Sequence, residues 1–172
     1  MKKALLASAA IVFALSGAAW AEIKIATAGP MTGDYATLVS ELPQECPSPV
    51  DLAGCRLSWA PAEHRSESIA YRLDAEGGAF VYTGDTEYSQ SVVELARGAD
   101  TLLIECSFPD EAPVPGHLTP SGVARIASEA GVRRVVLTHI YPAAEDLDLV
   151  AEVGRGFEGE ILVAEDGLEF EV

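Results

Sequence analysis

Three histidines and an aspartate are the residues here with the most obvious chemistry. The histidines are His64, His117 and His139, the only three in the chain. Asp85 stands in "VYTGDT", where a run of strand-forming residues stops at Gly84 and an acid follows it. His64 precedes a strand-like run, His117 lies in the loop "GHLTP", and His139 ends "RRVVLTH". The separations are 21, 32 and 22 residues, so there is no local metal motif. If the four converge, however, imidazoles plus a carboxylate make a ligand set for zinc or a similar ion. Taken singly, each has an ordinary reading: a loop histidine solvated at the surface, or an aspartate serving a turn or helix cap.

Convergence requires elements that deliver all four to one place. From residue 55 onward the chain alternates strand and helix signals. "CRLSWAPA" and "SIAYRLDA" read as strands, Gly77-Gly78 as a turn and "AFVYTG" as the next strand. Ser89 is expected to cap a short helix ended by Gly98, followed by the buried strand "DTLLIECSF". A helix is expected from Thr119 or Ser121 to about Ala130, stopped by Gly131. "RRVVLTH", a helix from Glu145 to Val153 and the strand "GEILVAED" complete an α/β layered pattern. In such sheets, functional groups collect in the loops beyond the strand C-termini.

The chain has 172 residues, enough for one domain with a core, and 49% of them are hydrophobic. A net charge of -16 disfavours nucleic acid or an anionic membrane surface as a general partner. Lys2 and Lys3, an apolar stretch Ala4 to Ala18 and the small-x-small triplet Ala19-Trp20-Ala21 read as a signal peptide over residues 1–21. Export would make the protein periplasmic or secreted, with no membrane attachment after cleavage. It would also permit a disulfide, for which Cys46 and Cys55 are near enough in sequence. Cys106 reads as a buried thiol. Residues 22–54 are Pro-rich and read as an irregular junction.

The stretches "HRSESIAYRL", "VYTGDT", "LLIECSF", "GHLTP" and "VVLTHIYP", in that order and spacing, resemble the C-terminal half of a metallo-β-lactamase-fold hydrolase of the ribonuclease Z-like branch. The resemblance covers residues 55–172 and implies half of an αββα sandwich. It implies that His64 and His139 each bind one of two zinc ions and that Asp85 bridges them. It further implies that His117 protonates the leaving oxygen and that Glu105 orients His117. Glu105 also has a plainer reading, as a strand-end carboxylate facing water. The implied reaction is metal-dependent hydrolysis of an ester or phosphodiester, with a hydrolase part that would by itself be cytoplasmic.

That family also uses a His-x-His-x-Asp-His motif in an N-terminal half, and no histidine precedes His64 here. Residues 1–36 instead resemble the signal and mature start of periplasmic binding proteins for branched-chain amino acids. The sequence therefore also supports a catalytically inactive fusion remnant or half of a split enzyme, and, on its first segment alone, a fragment of an exported amino-acid-binding protein. A single half-sandwich would leave one sheet face uncovered or an open edge. Cover is then expected from a missing N-terminal half or from a homodimer.

Overall fold

The computed structural model describes residues 8–11, 25–28, 49–52 and 54–171. Most of the expected signal and junction, and Cys46 with its expected pairing to Cys55, lie outside the described residues. Strands β1 (Ser8–Ile11) and β2 (Ile25–Ala28) pair antiparallel, with Ser8 opposite Ala28 and Ile11 opposite Ile25. β1 falls within the stretch expected to be the apolar core of a signal peptide. Among the described residues no helix is long and apolar enough to cross a membrane.

The remaining strands form one seven-stranded sheet in chain order: β3 (Val50–Leu52), β4 (Cys55–Pro61), β5 (Ile69–Ala75), β6 (Gly78–Tyr82), β7 (Thr101–Glu105), β8 (Arg134–Thr138) and β9 (Glu160–Val163). The sheet begins at Val50, inside the segment expected to be irregular. β3 to β6 run antiparallel and β6 to β9 parallel. The change follows from the connections. Glu76-Gly77 makes a tight hairpin between β5 and β6, whereas helices cross over between the later strands. β7 is buried at all five positions, as a strand covered on both faces must be.

Helix α1 (Gln90–Ala96) follows β6, α2 (Pro120–Ala130) follows β7 and α3 (Leu149–Val153) follows β8. α2 buries Val123, Ala124, Ile126, Ala127 and Ala130, a stripe at helical spacing, against Leu102, Ile104, Val135 and Leu137. It starts with proline in its first turn and ends at Gly131, whose φ of 65° gives the left-handed cap expected there. Ser89 does precede α1, but its hydroxyl bonds Ser91 rather than capping a backbone amide. α3 is shorter than expected. The Asp148 side chain accepts from Ala151 N as an N-cap, so the helix begins after Asp148, and residues 142–146 form turns.

The second sheet face differs from expectation too. Leu73, Phe80, Leu103 and Val136 project from it and are buried. The chain's own C-terminal segment supplies part of the cover. Leu168 and Phe170 pack there, with the Phe170 ring 6.5 Å from that of Phe80. Residues 168–171 therefore have a packing role although they form no regular element.

Candidate metal centre

The C-terminal ends of β6, β7 and β8 lie side by side, and they deliver Asp85, Glu105 and His139 to one edge of the sheet. β4 and β5 pair Pro61 with Ile69, so their connection, with His64 in it, reaches the same edge. His117 arrives from the loop between β7 and α2. All three histidines and both acids therefore meet at this edge. Ring centroids of His64 and His117 are 5.0 Å apart, and those of His117 and His139 are 5.7 Å apart. One ligand atom each from His64, Asp85 and His117 lie within 4.8 Å of one another. His139 Nε2 lies 3.5 Å from Asp85 Oδ1. His117, expected as a proton donor and not as a ligand, thus joins His64 and Asp85 in this cluster, whereas the expected ligand His139 stands beside it, against Asp85.

Each imidazole is oriented through its surroundings. His64 Nδ1 donates to the Gly116 carbonyl at 2.8 Å, which leaves Nε2 bare. His117 Nδ1 donates to Glu105 Oε2 at 3.0 Å, and its Nε2 is likewise bare. His139 has φ of 54°, the one non-glycine residue among those described with a positive φ. Its Nε2 is buried without a hydrogen-bond partner. A buried ring nitrogen without a hydrogen-bond partner is costly, and in its unprotonated form a cation would satisfy it.

Glu105 is 1% exposed. It accepts from Thr86 N at 2.6 Å, from the Ser107 hydroxyl and from His117. Burial pushes its carboxyl above the usual carboxylate range, while Ser107, the Thr86 amide and His117 pull in the opposite direction. Glu105 is therefore an interior hydrogen-bonded group and not a strand-end acid facing water. Tyr82 is pushed up to about 12 by burial, reinforced by the negative charges of Asp85 and Glu105. Neither cleft beside the imidazoles is lined by lysine or arginine: one borders His139 with Glu145, Asp148, Glu165 and Asp166, the other borders His117 with Tyr88, Val114 and Leu118. Imidazole nitrogens together with carboxylates fit zinc by their donor chemistry. The four side chains supply enough donors for one ion. Two ions would need further donors.

Several residues here carried no sequence signal. Phe108 and Tyr141 stack at 4.7 Å and flank His117 at 5.5 and 5.8 Å. Gly116 has φ of 88°, and a Cβ there would sit 2.8 Å from His64 Nδ1. The Gly-His pair in "GHLTP" was a usable hint, because a glycine beside a site histidine suggests a close backbone approach. Gly116→Ala is expected to cost about 1–3 kcal/mol in a urea titration and to weaken zinc binding by displacing His64.

The matched family profile is that of the beta-lactamase superfamily domain, over residues 24–140. The match begins inside the segment expected to be a junction. An uncharacterized protein of Mycobacterium leprae is 36% identical over 128 residues, covering 72% of this chain and 45% of the relative. A ribonuclease Z of Haloarcula marismortui is 40% identical over 118 residues, covering 62% of this chain and 38% of the relative. Among solved structures, the metallo-beta-lactamase fold protein YhfI from Bacillus subtilis aligns with a TM-score of 0.67 at 28% identity, covering 72% of this chain and 52% of that one. The chain belongs to the β-lactamase superfamily, has the α/β metallo-β-lactamase-type fold and is related to ribonuclease Z-like enzymes. It spans less than half the length of these curated relatives.

Proposed function

We propose that the protein is a zinc-dependent hydrolase of an ester or phosphodiester bond. The observation that carries this reading is the meeting of His64, Asp85, His117 and His139 at one sheet edge, with Glu105 buried behind His117. His64, Asp85 and His139 would hold the ion, using the bare nitrogens and the carboxylate described above. When bound, zinc supplies Lewis acidity and makes water a better nucleophile at neutral pH. His117 presents Nε2 to the site while Glu105 holds Nδ1, a geometry that suits it to protonate a leaving oxygen. A second ion would draw donors from another copy of the chain or from a separate N-terminal half.

The substrate we favour is a small one. A net charge of -16 and two clefts without lysine or arginine disfavour a polynucleotide. We also read residues 1–21 as a signal that exports the protein to the periplasm or beyond, the hydrolase part alone being cytoplasmic. N-terminal sequencing of the protein recovered from each cell fraction tests that reading.

The hydrolase reading is tested with bis(p-nitrophenyl) phosphate and p-nitrophenyl acetate, with and without zinc, on the full chain and on His117→Ala. Zinc-dependent turnover is expected, and His117→Ala should keep its zinc while losing about 100-fold or more of the rate. Loss of zinc in that variant would make His117 a ligand instead. A zinc-loaded chain that cleaves neither substrate would favour a catalytically inactive remnant or half of a split enzyme.

A further inference from the structure

Ser107 contacts every loop that delivers an imidazole from the parallel strands, and the proposed chemistry does not use it. It is completely buried. Its single hydroxyl proton faces two acceptors, Glu105 Oε2 and the carbonyl oxygen of His139, the latter at 2.8 Å. Its amide donates to the Leu118 carbonyl, next to His117, at 3.0 Å, and its carbonyl accepts from Tyr141 N at 3.2 Å. The backbone bonds fasten the loop after β7, which also carries His117, to itself and to the loop after β8, and any residue other than proline could make them. The hydroxyl does something further. One oxygen joins the carboxylate that orients His117 to the carbonyl of His139.

That second partner matters because of the His139 backbone. A non-glycine residue in the left-handed region costs about 1–3 kcal/mol and persists only where its surroundings hold it. The Ser107 hydroxyl is within hydrogen-bond distance of the His139 carbonyl, its single proton shared between that oxygen and Glu105 Oε2. The conformation it holds is the one that places His139 Nε2 3.5 Å from Asp85 Oδ1.

We infer that Ser107 is a positioning residue: its hydroxyl sets the Glu105–His117 pair and the His139 backbone together, so that the proton donor and the far ligand are aligned by one group. The inference rests on the zinc-site reading for its consequence, but its physical content concerns the metal-free chain. It can therefore be tested separately.

The probe is the long-range proton–nitrogen NMR spectrum of the three imidazoles in the metal-free full chain, at one fixed pH. The variants are Ser107→Ala, the near-isosteric Ser107→Cys, and Cys106→Ala as a neighbouring core substitution. His117 should be the Nδ1–H tautomer in the wild type. Ser107→Ala should convert it to a tautomer mixture and shift or broaden His139. His64 should be unchanged, because Gly116 holds it independently. Ser107→Cys should move the same two rings in the same direction, which keeps the test available if the alanine variant folds poorly. Cys106→Ala should leave all three tautomers as in the wild type. Where the wild type binds zinc, Ser107→Ala should weaken that binding about 10- to 100-fold by competition with a chromophoric chelator. Wild-type signals for His117 and His139 in folded Ser107→Ala or Ser107→Cys would overturn the inference, as would the same shifts in Cys106→Ala. A wild type that binds no zinc would overturn the zinc-site reading and leave the spectra to decide the role of Ser107.

Discussion

Replacing Asp85 with alanine is expected to remove zinc binding while leaving the fold intact. The expected loss of affinity is about 100-fold or more. Removing a group that merely supports a ligand already costs 10- to 100-fold, and Asp85 offers a carboxylate oxygen within 4.8 Å of His64 and His117 ligand atoms and 3.5 Å from His139 Nε2. Its side chain is 39% exposed, so little packing is lost. The glycine turn that presents it is set by Gly84, with φ of 60°, and not by the carboxylate. The change in stability should therefore stay within about 0.5 kcal/mol, as for other surface substitutions. Calorimetric zinc titration and a urea unfolding curve on the same preparation check both halves. Undiminished zinc binding would remove Asp85 from the site. A large loss of stability would mean the carboxylate holds the loop itself.

Glu105→Gln should have the second large effect, for a different reason. The carboxylate accepts on both oxygens, from Thr86 N on one side and from Ser107 and His117 on the other. A glutamine of the same shape offers one acceptor and one donor. Its oxygen is needed at the Thr86 amide, so its NH2 group must face His117 Nδ1. The imidazole proton then moves to Nε2, and no carboxylate remains to stabilise the imidazolium. In a chain that hydrolyses the nitrophenyl substrates, the rate should fall by about 100- to 10,000-fold. Zinc content should be nearly unchanged, because Glu105 touches His117 and not His64, Asp85 or His139. An unaltered rate would show that the orientation of His117 does not limit the reaction.

Local pattern made much of this fold readable. The strand at "TLLIE" and the end of α2 at Gly131 follow from burial runs and a left-handed glycine cap, which are properties of a few adjacent residues. α3 was harder, because Asp146 and Asp148 are poor interior residues but good caps, and which of them caps depends on the turn before it. The cover supplied by Leu168 and Phe170 was not legible at all. A five-residue tail has too little periodicity to announce which face it meets. The site divides in the same way. His64, Asp85, His117 and His139 stood out as rare residues at strand ends, although separations of 21 to 32 residues required the family resemblance to bring them together. Ser107 had no such signal. Its importance comes from a carbonyl 32 residues away and from a backbone conformation that histidine seldom adopts.

Whether these side chains form a zinc site within this chain is read from the zinc content of the protein. The full chain would be saturated with zinc, desalted into metal-free buffer and measured by elemental analysis against protein concentration. The account predicts about one zinc per chain, matching the donors supplied by His64, Asp85 and His139. About two per chain would mean that further donors complete a second site. Retention of essentially no zinc would contradict the account, and the convergence of imidazoles would then be a family feature kept without its metal.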